Sequence, residues 1–311
     1  MRILSGEEIR RALTYDVLIP AMERALIDFS AGRVVQPVRS MIPVPQGDGI
    51  FALMPAVYGT LMGIKLVCVY PGNAARGLPT HLATVQLFRA ATGEPLALLD
   101  GTVITELRTA AVSAVAANRL ARADTRVLAV LGSGVQARAH IEALRTVRRF
   151  DEVRVWSRTA AHAEALARAV GTGGRAVSVS TSAPCRAVSV SSAEDAVRGA
   201  DVVVTVTGAG EPVLRGAWLA DGACVLAVGA VGAGRREVDG AVMAGAVIVD
   251  SREAARVEAG DIILAGVGID AELGEVLAGT VAVPARRHTV FKSLGLAVED
   301  IAAAALAIGA D

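Results

Sequence analysis

Aromatic residues make up only 3% of this 311-residue sequence, cysteines number three, and 31 Lys and Arg balance 31 Asp and Glu to a formal charge of zero. Each shortage closes off a class of protein. The neutral balance supplies no basic surface for nucleic acid or for an anionic membrane. Cys68, Cys185 and Cys224 stand far apart and form no CxxC pair. That argues against a disulfide framework or a zinc site and fits reduced thiols in the cytoplasm. No uncharged run reaches the roughly 18 residues of a membrane span. The longest, "GIFALMPAVYGTLMGI", is broken by Pro55 and by glycines. The opening "MRILSGEEIRRAL" carries charges where a secretory leader has an apolar core of about 7–15 residues. What the chain does have is 53% hydrophobic content, mostly Ala, Val and Leu, enough for a large core. Its length suits two domains better than one.

The pattern changes twice along the chain. Residues 1 to about 30 read as helical, with Ser5 as a plausible N-cap and a stop at Gly32. From Gln36 to Leu99, short apolar runs such as "MGIKLVCVY" and "LATVQLF" alternate with Pro, Gly and Asn, the pattern of antiparallel strands and turns. "ITELRTAAVSAVAANRLA" has helical periodicity, with Thr105 as its expected N-cap. From Arg126 onward, runs such as "RVLAVLG", "DVVVTVT" and "AVIVD" alternate with helical segments, which predicts a parallel sheet covered on both faces. "LGLAVEDIAAAALAIGA" closes the chain as a further helix. The string "RAVSVS" occurs at 175–180 and again at 186–191, a small duplication expected to lengthen an edge strand or loop.

Gly132-Ser133-Gly134-Val135-Gln136-Ala137 is a GxGxxA turn between a strand and a helix. Its first glycine permits the tight turn, the second lets backbone approach a pyrophosphate, and the small last residue lets helix and strand pack closely. The helix N-terminus offers N–H groups and a positive dipole end to phosphates. The next strand ends in Ser157-Arg158-Thr159 rather than in the acid that usually meets an NAD ribose. A guanidinium flanked by hydroxyls suits a 2′-phosphate, so NADPH is the expected cofactor, with NADH also possible.

With these segments in view, and with "QPVRSMIPV", "LMPA", "GIKLV", "GLPTHLATVQLF", "TGEPLALLDG", "ITELRTAAVSA", "GEVLAG" and "TVFKSLGLAVED" in the same order, the chain resembles the ornithine cyclodeaminase/mu-crystallin family over nearly its full length. It is most similar to the mu-crystallin-like ketimine reductases. The resemblance implies an α/β fold: a Rossmann-type doubly wound parallel sheet inserted into a second α+β domain for substrate binding and dimerisation. On this reading 1–120 is the substrate domain, 121–289 the NAD(P) domain, and 290–311 a helix returning to the substrate domain. A homodimer in the cytoplasm is expected.

The resemblance also implies roles. Lys65 matches the family's active-site lysine, Arg108 the arginine that grips the substrate carboxylate, Arg39 a second arginine near it, and Thr80 a substrate-side hydroxyl. Lys65 and Arg108 are the expected catalytic pair. Elementary chemistry agrees, because a lysine in an apolar strand and an arginine in an apolar helix are costly to bury without an anion nearby. His81 is either a cofactor neighbour or a packed histidine. Further cofactor contacts are expected at Thr109, Gly132, Ser133, Gly134, Val135, Gln136, Ser157, Arg158, Thr159, Thr207, Val228 and Ser293. No metal site is expected. Val231 occupies the position where the cyclodeaminases and related alanine dehydrogenases carry an aspartate. Its apolar side chain moves the expectation from deamination to NADPH-dependent reduction of a small α-imino acid, of the pyrroline-2-carboxylate or piperideine-2-carboxylate type. Lys65 would either supply the iminium proton or remain a cation on the carboxylate. The alternatives are a cyclodeaminase-like ammonia lyase and an NADPH-dependent ligand-binding protein.

Overall fold

The computed structural model describes residues 1–171 and 185–310. The chain folds as two compact units, Met1–Thr109 with Gly295–Asp311, and Ala110–Leu294.

The first unit opens with β1 (Arg2–Leu4), α1 (Gly6–Ala12) and α2 (Tyr15–Ser30). Ser5 caps α1 as expected: its hydroxyl accepts from Glu8 N at 3.4 Å, and the Glu8 carboxylate accepts from Ser5 N at 2.8 Å. Strands β2 (Val34–Val35), β3 (Ser40–Val44), β4 (Gly49–Tyr58), β5 (Leu61–Val69), β6 (His81–Arg89) and β7 (Pro95–Asp100) follow. They form one sheet in the order β1-β7-β6-β5-β4-β2, with β3 also paired to β4. The pairing is antiparallel throughout the meander, and β1 alone runs parallel to β7.

Strand alternation divides this sheet into two faces. Ala52, Met54 and Ala56 of β4 and Gly63, Lys65 and Val67 of β5 point to the buried face. Phe51, Leu53 and Val57 are in register with Cys68, Leu66 and Met62 on the opposite face, which is only partly covered.

Helix α3 (Gly101–Leu120) starts earlier than the sequence suggested. Asp100 Oδ1 accepts from Thr102 N at 2.9 Å and from Val103 N at 3.2 Å, so Asp100 caps the helix and Thr105 does not. The carboxylate at the strand end reaches the unpaired N–H groups a turn before Thr105 can. Thr105 is instead inside the helix, donating its hydroxyl proton to Gly101 O at 2.7 Å.

The second unit contains β8 (Val127–Leu131), α4 (Val135–Val147), β9 (Glu152–Trp156), α5 (Ala160–Gly171), β10 (Arg186–Ser189), α6 (Ala193–Val197), β11 (Val202–Thr205), β12 (Cys224–Ala227), β13 (Ala246–Val249), α7 (Arg252–Glu258), α8 (Gly260–Ile263), β14 (Ala271–Glu272), α9 (Leu273–Leu277) and β15 (Thr289–Lys292). Its eight strands are all parallel, in the order β10-β9-β8-β11-β12-β15-β13-β14. The order reverses at β8, which lies between β9 and β11. In an open α/β sheet, that switch point is where ligands bind, beyond the carboxyl ends of the strands. β11, β12 and β13 are buried along their whole length, as expected for a covered parallel sheet. The second copy of "RAVSVS" supplies β10, the edge strand; the first, at 175–180, lies outside the described residues.

The chain ends in α10 (Ala297–Ile308), which belongs to the first unit and packs on α2, β4, β5 and β6. Its Ala-rich sequence is buried on nearly every side, so its two acids, Glu299 and Asp300, are buried with it. No helix among the described residues is long and apolar enough to cross a membrane. Cys68, Cys185 and Cys224 are free thiols.

Candidate active site

Lys65 lies in the middle of β5 on the buried face of the first unit's sheet, only 2% exposed. Its ammonium is 2.6 Å from Asp300 Oδ2 and donates to Thr105 Oγ1 at 3.4 Å. Arg108, projecting from α3, donates from Nε to Asp300 Oδ1 at 2.9 Å and from Nη1 to Glu299 Oε2 at 2.6 Å. Arg39, just before β3, donates from Nη2 to Gly295 O at 2.7 Å. Thus the structure brings together three cations expected from the sequence, and it adds two buried carboxylates and a glycine from the C-terminal segment.

Gly295 is required at this place. Its φ is +80°, and a Cβ there would lie 2.5 Å from Arg108 Nη1 and 2.8 Å from Nη2. A side chain would therefore push the guanidinium off its carboxylates. The first turn of α10 is a favourable place for the two acids, because the positive end of the helix dipole faces them.

The cluster shifts its own protonation equilibria. Burial lowers the Lys65 pKa, the neighbouring Arg108 and Arg39 lower it further, and Asp300 opposes them; the result is about 7. Burial also acts on Asp300 and would raise its pKa, but Arg108 and Lys65 outweigh it and hold the carboxyl below its ordinary value. His81, on β6, is within electrostatic reach of the same group: burial, Lys65 and Arg108 push it down to about 4. It is therefore neutral at physiological pH. Thr80, one residue earlier, is exposed, and its backbone carbonyl accepts from Tyr70 N at 2.9 Å. Thr109 is buried in α3.

In the second unit, the expected dinucleotide residues collect at the carboxyl ends of the parallel strands. Gly132, at the end of β8, has φ +129°, and a Cβ there would sit 2.7 Å from Val206 O. Gly134 is the N-cap of α4, with no side-chain cap, and a Cβ there would meet nothing within 4 Å. Val135 and Gln136 open the helix, and Ala137 is fully buried where α4 packs down. Ser133 Oγ donates to Ser157 Oγ at 2.9 Å, joining the turn to the end of β9, and Arg158 and Thr159 beside it are exposed. These features fit a pyridine dinucleotide: an open cradle at a helix N-terminus for the pyrophosphate, and a guanidinium at the ribose end.

Thr207, Val228 and Ser293 follow β11, β12 and β15, and each is tied into the scaffold. Val228 N donates to Thr205 O at 3.0 Å, and Ser293 N to Ala227 O at 3.1 Å. Glu237, which sequence reasoning missed, is fully buried beneath these strand ends. Its carboxylate accepts from Thr207 N and Thr207 Oγ1 at 2.6 Å each, from Gly229 N at 2.6 Å and from Thr205 Oγ1 at 3.0 Å. A second buried pair, Lys292 and Asp261 at 2.9 Å, continues the network, with Asp261 Oδ1 accepting from Glu237 N at 2.8 Å. Val231 packs against the apolar core of the unit.

A parallel sheet with a glycine turn at its switch point in the second unit, together with a first unit that gathers two arginines and a lysine, defines a pyridine-nucleotide oxidoreductase that handles an anionic substrate. Residues 1–308 match the ornithine cyclodeaminase/mu-crystallin family, and the chain belongs to it. It is 44% identical over 310 residues to the ketimine reductase mu-crystallin of Mus musculus, covering 97% of this chain and 95% of the relative. Among solved structures, the Thermococcus litoralis Δ1-pyrroline-2-carboxylate reductase, in complex with NADH and L-proline, superposes with a TM-score of 0.92 at 34% identity, over 99% of this chain and 97% of that one. An archaeal alanine dehydrogenase dimer with bound NAD gives a TM-score of 0.91 at 32% identity, over 99% and 95% of the two chains.

Proposed function

We propose that the protein is an NAD(P)H-dependent reductase of small α-imino acids, converting a C=N bond next to a carboxylate into the amine of an amino acid. The observation that carries this reading is the cluster in the first unit, where Lys65, Arg108 and Arg39 meet the carboxylates of Asp300 and Glu299. Three cations against two anions leave one positive charge, which a monocarboxylate substrate would balance.

A bound NAD(P)H supplies the hydride, which adds to the C=N carbon as the nicotinamide is oxidised. The protein's own residues do the rest. Arg108 and Arg39 bind and orient the substrate carboxylate, which converts a random encounter into a positioned one. Arg108 also donates to Asp300 and Glu299, which hold its guanidinium in place. The nitrogen of the imine needs one proton, and Lys65, titrating near 7, is poised to give it. Neutral His81 beside the cluster adds no further charge. Similarity to the pyrroline-2-carboxylate reductase with NADH and L-proline supports a cyclic imine as substrate.

Arg158 supports NADPH over NADH in this chain, and Val231 supports reduction over hydrolytic deamination. The partly covered sheet face that includes Phe51, Leu53, Val57, Met62 and Leu66 supports a homodimer joined through the first unit, in keeping with the dimeric alanine dehydrogenase. Free thiols fit the reducing cytoplasm. NAD(P)H oxidation tests the central reading, assayed with pyrroline-2-carboxylate, piperideine-2-carboxylate and a panel of 2-oxo acids mixed with ammonia or methylamine. The corresponding amino acid should accumulate with at least one of them. Proline formation from ornithine without added reductant would overturn the reading.

A further inference from the structure

We propose that Asp300 is the positioning residue of this site: from the first turn of α10 it fixes Lys65 as proton donor and Arg108 as carboxylate anchor, with one contact to each. The proposal rests on the imine-reduction reading above. The two cations come from different elements, Lys65 from β5 and Arg108 from α3, and like charges held in a buried place repel. Asp300 lies between them, its Oδ2 2.6 Å from Lys65 Nζ and its Oδ1 2.9 Å from Arg108 Nε. Both carboxylate oxygens are thus engaged, and a single side chain sets the spacing of the two groups that meet the substrate.

A wholly structural explanation is weak. A buried ion pair is poor at stabilising a fold compared with apolar residues of the same volume. Apart from Glu299, the rest of α10 is apolar, "AVEDIAAAALAI", so an apolar residue at 300 would suit packing alone.

In the proton step, Lys65 Nζ gives one proton to the imine nitrogen as the adjacent carbon receives the hydride. Lys65 is left as a neutral amine and regains a proton from water, while Asp300 stays ionised throughout. The groups that face Lys65 are Asp300 from α10, Arg108 and the Thr105 hydroxyl from α3, Arg39 from the segment before β3, and His81 from β6. Burial, Arg108 and Arg39 favour the neutral amine, whereas Asp300 favours the ammonium. Removing the Asp300 charge should therefore strip the proton from Lys65 at a lower pH, and the basic limb of kcat should follow.

The test uses the full-length protein. Lys65 Nζ is titrated by 15N NMR, and kcat is measured against pH, in the parent and in Asp300→Asn, which keeps the size of the side chain and loses the charge. Both the Lys65 midpoint and the basic limb should move to lower pH by about one unit or more. Asp300→Glu should restore the midpoint but not kcat, because the charge returns displaced by one methylene. Loss of stability in Asp300→Asn, with midpoint and limb unmoved, would reduce Asp300 to a structural partner and overturn the proposal. If Asp300→Asn does not fold, parent-like kcat in Asp300→Glu would overturn it. A parent protein that turns over no imine would sink the reduction reading instead, and the NMR titration would still decide whether Asp300 governs Lys65.

Discussion

Arg108→Lys keeps a positive charge and loses a geometry. In the parent, Nε and Nη1 serve two different carboxylates, Asp300 at 2.9 Å and Glu299 at 2.6 Å, both fully buried. A lysine brings one nitrogen on a flexible stem and cannot span both. One charge-assisted hydrogen bond is lost, about 1.5–3 kcal/mol, and one buried carboxylate is left short of its partner. The same loss in the substrate-bound state corresponds to roughly ten- to a hundredfold in kcat/KM for a carboxylated imine. Stability should therefore fall together with activity, because the residue serves α10 as well as the substrate. Urea unfolding followed by far-UV circular dichroism reads the first, and NADPH oxidation the second. Trp156 and Trp218, the only two tryptophans, both lie in the second unit, so NADPH titration by their fluorescence is an internal control and should give the parent affinity. A variant with parent stability and parent efficiency would refute the reasoning.

Three further outcomes are expected. Arg158→Asp should reverse or abolish a preference for NADPH over NADH; equal affinities in the parent, measured by titration, would contradict the assignment. Gly295→Ala places a Cβ within 2.5 Å of Arg108 Nη1 at a φ of +80°, so KM for the imine should rise more than about tenfold while NADPH affinity holds; an unchanged KM would show that Arg108 does not need that space. His140, buried between Ser113 Oγ at 2.9 Å and Gln136 O at 2.7 Å, has its pKa lowered by burial from 6.5 to about 4. Above pH 6.5 it is neutral folded and unfolded; between 6.5 and 4 only the unfolded chain takes up the proton, so stability should fall by roughly 3 kcal/mol across that window. His140→Gln should flatten the fall, and parallel pH profiles for parent and variant would exclude the histidine as its source.

Much of this was legible in the chain. Short apolar runs such as "MGIKLVCVY" between Pro, Gly and Asn identified antiparallel strands and turns, and the apolar runs "RVLAVLG" and "DVVVTVT" alternating with helical segments identified a parallel sheet covered on both faces. The GxGxxA turn could be read because its glycines answer local demands, a positive φ at Gly132 and open space at Gly134. What escaped were the partners. Lys65 and Arg108 were read as cations awaiting a substrate anion, but their carboxylates lie far along the chain in "AVEDIAAAALAI", 191 and 192 residues beyond Arg108 and further still beyond Lys65. The same argument that singles out a lysine in an apolar strand applies to acids in an apolar helix, and it would have found Glu299 and Asp300. Glu237, Asp261 and Lys292 carry a weaker signal, since a loop, the short helix α8 and the end of β15 look solvated until the fold closes over them. Thr105 was misplaced as a cap because Asp100, at the end of the preceding strand, competes for the same N–H groups.

The most direct test of the central claim compares two imines that differ only in the carboxylate. NADPH oxidation is followed with Δ1-pyrroline-2-carboxylate and with Δ1-pyrroline at equal concentration, and the products are identified by mass. If Lys65, Arg108 and Arg39 grip a substrate carboxylate, the first should be reduced to proline, and the second at least about ten- to a hundredfold more slowly in kcat/KM. Equal turnover of the two imines, or no reduction of the carboxylated one, would contradict the account.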